Sequence, residues 1–293
     1  MLKANDGKTY IVKFQDNPQH RRILINEIVS SVCLQYLGIM TPSVAFVTTT
    51  PEFRAANPLR LQCGGARVGP EDGPHFGSCC PDDAGTRAVY DLLPDCLLPR
   101  ILNSRDFLGV LAFDKWLGNI DHRQCIFYRT NGQWTASMID NAAVLSGKYW
   151  ELPEQPFGGI YPRQSVYACV RSMSDFQPWL ERIACFPESV LEGIRAIVPS
   201  AWLRGDGDRL KAVLEQVALR RSAVESLIWN LRTAIRNLFP NWSTVQVAAG
   251  FPRSSRRQQT LHLRKLAPYV RTTLAAVKVS MTARVIAHRE WAY

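Results

Sequence analysis

Apolar and polar positions along the first half of the chain follow two rhythms, one of period two and one near 3.6. Residues 8–14 (Lys-Thr-Tyr-Ile-Val-Lys-Phe) are rich in β-branched and aromatic side chains and follow the turn signal Asn5-Asp6-Gly7, so they predict a strand carrying Lys13 near its far end. After Asn17-Pro18 the spacing changes. Ile25, Ile28, Val29, Val32 and Tyr36 fall on one face of a helix over about 19–37, and Gly38 stands where it would cap the C-terminus. Residues 44–48 predict another strand. The stretch 51–86 has no clean period and is rich in Gly, Pro, Arg and Asp, so it predicts loops around one or two short strands and a natural boundary. From Asp106 the helical rhythm returns through Phe107, Val110, Leu111, Phe113 and Leu117, and Gly118-Asn119 ends it. Strands over 125–129 and 134–139 follow, joined across Asn131-Gly132, a strong hairpin signal, and the second runs into Asp140. Further helices are expected over 166–173, 188–198, 208–219 and 221–239, with Asp208 as an N-cap.

With 293 residues, 46% apolar and 20% charged, the chain can bury a sizeable core and is too long for one small unit. No apolar run approaches the ~18 residues of a membrane span, and the N-terminus has no oily signal segment, so the expectation is a cytoplasmic protein without a membrane span. Eight cysteines in a chain this long do not suggest a disulfide framework. Most are expected to be reduced and buried, and the grouping of Cys63, Cys79, Cys80 and Cys96 with His75 lacks the C-x-x-C pair of a zinc knuckle. The net charge of +10 is concentrated at one end: residues 243–293 hold nine basic residues and one acid, which leaves +2 for residues 1–242. Such a segment suits a nucleic acid or an anionic surface; an unselected extension, poorly ordered, fits it too.

The chemistry lies in an order of parts. A strand lysine (Lys13), a helix glutamate (Glu27), an aspartate where a helix meets a hairpin (Asp121) and an aspartate just past that hairpin (Asp140) follow one another along the chain. Phosphoryl transfer from ATP needs a cation on the phosphates, a carboxylate to hold it, a carboxylate near the incoming hydroxyl and one for magnesium. One hairpin between Asp121 and Asp140 folds the two acids to the same end of a small sheet, where a divalent cation with hard oxygen ligands would relieve their repulsion. Plainer readings exist for each part: an edge-strand lysine, a solvated helix glutamate, and aspartates in turn chemistry.

The residues around these positions resemble a family. Tyr10 to Phe14, Asn26-Glu27, Leu37 to Pro42, Gly73 to Ser78, Phe113-Asp-Lys-Trp-Leu-Gly-Asn-Ile-Asp121, Arg123-Gln124 and Met138-Ile139-Asp140 are similar to the HipA-like kinase domain of bacterial proteins, over about residues 1–242. The resemblance implies an α+β, two-lobed protein-kinase-like fold: a small β-rich N-lobe (1–79), a mainly helical C-lobe (80–242) and a basic extension (243–293). It implies ATP between the lobes, Mg²⁺, and phosphorylation of Ser or Thr in a protein. On that resemblance Lys13 is the nucleotide lysine and Glu27 its partner, Asp121 the catalytic-loop acid, and Asp140 the metal acid. Gln124 stands nearest to the place of a second metal ligand. Arg123 orders the loop or meets a phosphate, and His75 lies at a hinge on the nucleotide side.

Two departures weigh against full activity. The family has glycine-containing sequence and a further strand before the lysine strand, which this chain is expected to lack, with weaker phosphate binding as the result. After Asp140 the chain reads Asn141-Ala142-Ala143, where glycine would be usual. A catalytically silent relative and a module that binds nucleic acid through its basic tail are therefore the alternatives.

Overall fold

A computed structural model describes residues 1–16, 18–58, 60–63, 66–81, 87–154, 157–243 and 278–281. Of the basic segment, only Ser243 and residues 278–281 fall in that set, so the expectation of a poorly ordered tail lies outside the described residues.

Ten strands and eight α-helices are described, and the architecture is mixed α+β. Strands β1 (Leu2–Lys3), β2 (Thr9–Lys13), β3 (Val44–Thr49), β6 (Pro74–Cys79) and β10 (Lys278–Met281) form one sheet in the order β1-β2-β6-β3-β10. All neighbours are antiparallel except β3 and β10. A short strand thus does precede the lysine strand. The turn between them is closed by Asp6, whose Oδ1 accepts the Lys8 N–H at 3.0 Å and whose Oδ2 accepts the Tyr10 hydroxyl at 2.8 Å.

Strand β6 is the sheet's central member and lies in the stretch expected to hold loops around one or two short strands. Its sequence opens on Pro74 and contains Gly77, both poor strand signals. Gly77 is required here, because a Cβ at that position would stand 2.5 Å from Val47 Cγ2. The same region holds helix α2 (Pro51–Ala56), started by Thr50, whose hydroxyl accepts the Phe53 N–H, and a two-stranded unit of β4 (Leu61–Cys63) and β5 (Ala66–Val68).

The two faces of the large sheet differ. Leu2, Tyr10, Ala45, Val47 and Phe53 make a small outer cluster. On the inner face Phe76 joins the main core, which runs through α1 (Arg22–Leu37), α3 (Asp106–Leu117) and the later helices. Helix α1 is buried at thirteen of its sixteen positions and α3 at eleven of twelve, so neither is a surface helix with one apolar stripe. That overturns the solvated reading of Glu27, which is 4% exposed. Gly38 and Gly118 end these helices at φ 72° and 62°, where the absence of a Cβ removes the cost of a left-handed turn.

Strands β7 (Val89–Tyr90), β8 (Gln124–Thr130) and β9 (Gln133–Ile139) form a second sheet, in which Gln124 pairs with Ile139. Asn131 and Gly132 turn the hairpin at φ 50° and 78°. Helices α4 (Trp179–Ala184), α5 (Glu188–Ile197), α6 (Ser200–Leu203), α7 (Gly207–Arg220) and α8 (Val224–Ala234) complete the described fold. The helix expected over 166–173 is replaced by two 3₁₀ turns, Gln164–Tyr167 and Met173–Phe176, because Asp175 Oδ2 takes the Arg171 and Ser172 N–H groups and starts a new turn. The one expected over 221–239 divides into a 3₁₀ turn and the shorter α8. Asp206, not Asp208, occupies the cap position of α7, and its carboxylate is bound by Arg22 through two bonds of 2.7 Å.

The seven described cysteine side chains are all free, but only Cys33 and Cys125 are buried, which corrects the expectation that most would be. No described helix is long and apolar enough to cross a membrane.

Candidate functional site

Alternation along β2 and β6 places Lys13 beside Phe76 on the inner face, pointing at α1. Its ammonium donates to Glu27 Oε1 at 2.7 Å and to Asp140 Oδ1 at 2.9 Å, joining residues 127 positions apart. Burial alone would lower the lysine's pKa, but the two carboxylates outweigh it and hold the pKa above its usual value. Burial likewise pushes Asp140 up. Lys13, the Ala142 N–H and Arg123 overcome that and leave it below the ordinary carboxylate range.

Asp140 follows β9 immediately and adopts φ 52°, a left-handed conformation uncommon for a residue with a side chain. Leu145, Ser146 and Trp150 share it, so the backbone strain of this region is concentrated just after the acid. Asn26 and Glu27 keep that segment in place. The Asn26 side-chain amide donates to the carbonyls of Ala142, Val144 and Gly147 at 2.8–3.0 Å, and its oxygen accepts the Trp150 indole N–H at 2.8 Å. Glu27 accepts the Asn141 backbone N–H at 3.1 Å and its side-chain amide at 3.2 Å. Asn141, standing where glycine would be usual, bridges two charged groups in a way a glycine could not.

Asp121 lies on the loop between α3 and β8 and is exposed. Its Oδ1 accepts the His122 N–H at 2.7 Å, its own N–H donates to Asn119 Oδ1 at 3.0 Å, and its carbonyl accepts the Gly159 N–H at 2.6 Å. The Gln124–Ile139 pairing puts both acids at the same end of the hairpin, and the Ile120 N–H donates to the Ala143 carbonyl at 3.3 Å, joining the two loops. Ile120, the residue before Asp121, is about half exposed. Gln124 opens β8 half-buried, one position from the level of Asp140.

Two further candidates have side chains enclosed by the protein. Arg123 is 0% exposed and spends its guanidinium inside the protein: on Asp114, on the Ile139 carbonyl at 3.0 Å and on Asn141 Oδ1 at 2.9 Å. It orders the loop, the first of the two roles expected of it, with its guanidinium spent on protein partners. His75 lies within β6 on the outer face, opposite Lys13; its Nδ1 accepts the Gln15 N–H at 3.2 Å and its ring packs edge-on to Phe14. Burial lowers its pKa to about 4, so the imidazole is neutral. It is neither a hinge nor part of the lysine groove.

Asp114 and Gly159 were given no role from the sequence, Asn119 was read only as a helix end and Asn141 only as a departure from glycine. The available signal was Asp114-Lys115 inside an otherwise apolar helical run, since a charge buried in a core is rare unless it has a partner. Lys13 and Arg123 are ion-paired with Glu27, Asp140 and Asp114, and the buried Lys115 ammonium also interacts with Asp114. Among the described residues no three His, Cys, Asp or Glu side chains are grouped closely enough to hold a metal by themselves.

Comparison with known proteins gives no match to a family model, to a characterised protein or to a solved structure.

Proposed function

We propose that the chain is a HipA-like protein kinase, transferring the γ-phosphoryl group of ATP to a Ser or Thr hydroxyl of a protein, with the nucleotide between the large sheet and the helical part as two lobes. One observation carries the reading: Lys13 is fixed between Glu27 and Asp140 by bonds of 2.7 and 2.9 Å. A lysine oriented by a helix glutamate, next to a carboxylate, is the device by which such enzymes hold phosphates.

In this reading Lys13 binds the α and β phosphates and Glu27 orients it. Asp121 accepts the proton of the attacking hydroxyl as the new oxygen–phosphorus bond forms, the bond to the bridging oxygen breaks and ADP leaves. Asp140 would suit Mg²⁺ as a half-buried hard oxygen donor, and Gln124 lies close to its level. Magnesium is commonly held by one or two carboxylates together with substrate phosphates, so it needs no cluster of three ligating side chains, and none is found among the described residues. When bound, the ion would neutralise charge on the phosphates. The exposed Asp121, beside the half-exposed Ile120, is accessible to a polypeptide acceptor.

The test is transfer of labelled phosphate from Mg-ATP to a mixture of bacterial proteins and to the chain itself, with wild type and Asp121→Asn compared. Incorporation by wild type alone supports the kinase. Nucleotide binding without incorporation would identify a silent relative, and absence of both would overturn the reading.

A further inference from the structure

Asp114 lies in α3, outside the groups proposed to meet nucleotide or acceptor, yet it is a branching point of the polar network. Its side chain is 0% exposed and both oxygens are occupied: Oδ2 by Arg123 Nε at 2.9 Å, and Oδ1 by Arg123 Nη2 and by Asn119 Nδ2 at 2.9 Å. Two arms leave from these partners. Along the first, Asn119 Oδ1 accepts the Asp121 N–H at 3.0 Å. Along the second, Arg123 Nη1 bonds the Ile139 carbonyl, just before Asp140, and Asn141 Oδ1, just after it. Asn141 passes the connection to Glu27, and Glu27 to Lys13.

We infer that Asp114 is a positioning residue that sets Asp121 and Asp140 relative to each other, so that the acceptor acid and the nucleotide acid move as one unit. The inference rests on the proposed function for its catalytic meaning, but not for its geometry. The surroundings are shaped for this carboxylate. Gly159, at φ 76°, would drive a Cβ into Asp114 Cβ, and the same glycine donates its N–H to the Asp121 carbonyl. Lys115 bonds the neighbouring Gly158 carbonyl, which presses that segment onto the Asp121 loop. A buried ion pair is a poor source of stability compared with well-packed apolar residues. Here it supplies what apolar residues cannot, directional bonds to two separate loops.

The experiment uses the full chain with Asn119→Ala, Asn141→Ala and Asp114→Asn, and reads two quantities. The first needs no ligand: the backbone amide resonances of Asp121 and Asn141. Asn119→Ala should move the Asp121 amide alone, Asn141→Ala its own amide alone, and Asp114→Asn both. The second is kinetic, with Mg-ATP and a phosphorylated substrate or autophosphorylation. Asn119→Ala should lower kcat about tenfold with the KM for Mg-ATP unchanged, Asn141→Ala should raise that KM about tenfold, and Asp114→Asn should do both. Combining Asp114→Asn with Asn119→Ala should cost less than the two singly, since they share an arm. If Asp114→Asn does not fold, the two asparagine variants still decide: effects that are not confined to one arm each overturn the inference. A wild type that binds no nucleotide overturns the kinase reading, while the amide resonances still judge the coupling.

Discussion

The two acids at the mouth of the β8–β9 hairpin are built in opposite ways. Asp140 is half-buried and ion-paired to Lys13, its backbone is turned into a left-handed conformation, and the residues after it are tied to α1 by Asn26 and Glu27. Asp121 is exposed, has its carboxylate on a neighbouring N–H, and is held chiefly through its backbone. Under the proposed function, the end that would meet nucleotide is thus assembled before any ligand arrives, and the end that would meet the acceptor is left open. That division suits a reaction in which one substrate is always the same molecule and the other is a large polypeptide whose shape must be accommodated.

The comparison can be broken most directly at the open end. Asp121→Asn should lower phosphate transfer by roughly 10²–10⁴-fold while changing unfolding stability by no more than about 0.5 kcal/mol, as expected for an exposed residue. A large loss of stability with it would mean that the loop is structural. At the closed end, Arg123→Met leaves the Asp114 carboxylate buried without its partner and should cost about 3–5 kcal/mol in urea unfolding. A cost below about 1 kcal/mol would show that the network does not hold the loops. The third effect is of pH. His75 has its folded pKa lowered to about 4 against 6.5 unfolded, so between those values the unfolded chain binds the extra proton and stability falls as pH falls through that window. His75→Phe should flatten this part of the profile, and an unchanged profile would place the acid sensitivity elsewhere. The smallest effect is expected at His122. It is exposed beside Asp121, and His122→Ala should change transfer by no more than about twofold; a large loss would assign the histidine a part in the chemistry.

Much of the fold was legible in the sequence where one signal dominated. The lysine strand, α1 with its Gly38 cap, α3 with Gly118, and the Asn131-Gly132 hairpin all stand within a few residues of expectation, because apolar period and turn chemistry agree there. Strand β6 was not legible. Pro74 and Gly77 spoil its local pattern, and the need for Gly77 comes from Val47, a neighbour distant in sequence. The site was legible only as an order of charged types. Lys13, Glu27 and Asp140 do meet, but the order of residues along the chain could not say that Glu27 is buried, nor that Arg123 turns inward to Asp114 when the neighbouring Asp121 turns outward. His75 was misplaced for a similar reason, since a strand's two faces differ by one residue and its register is set by pairing partners.

The central claim is that Lys13, fixed by Glu27 and Asp140, is a nucleotide-phosphate binding group. Thermal unfolding of wild type and Lys13→Met, each with and without millimolar Mg-ATP, measures it most directly, because a ligand that binds only the folded state raises the midpoint, by about 2.7 kcal/mol of stabilisation at one hundred times Kd. The expected result is a clear rise for wild type and little or none for Lys13→Met. An unmoved wild-type midpoint, or an equal rise in both proteins, would contradict it.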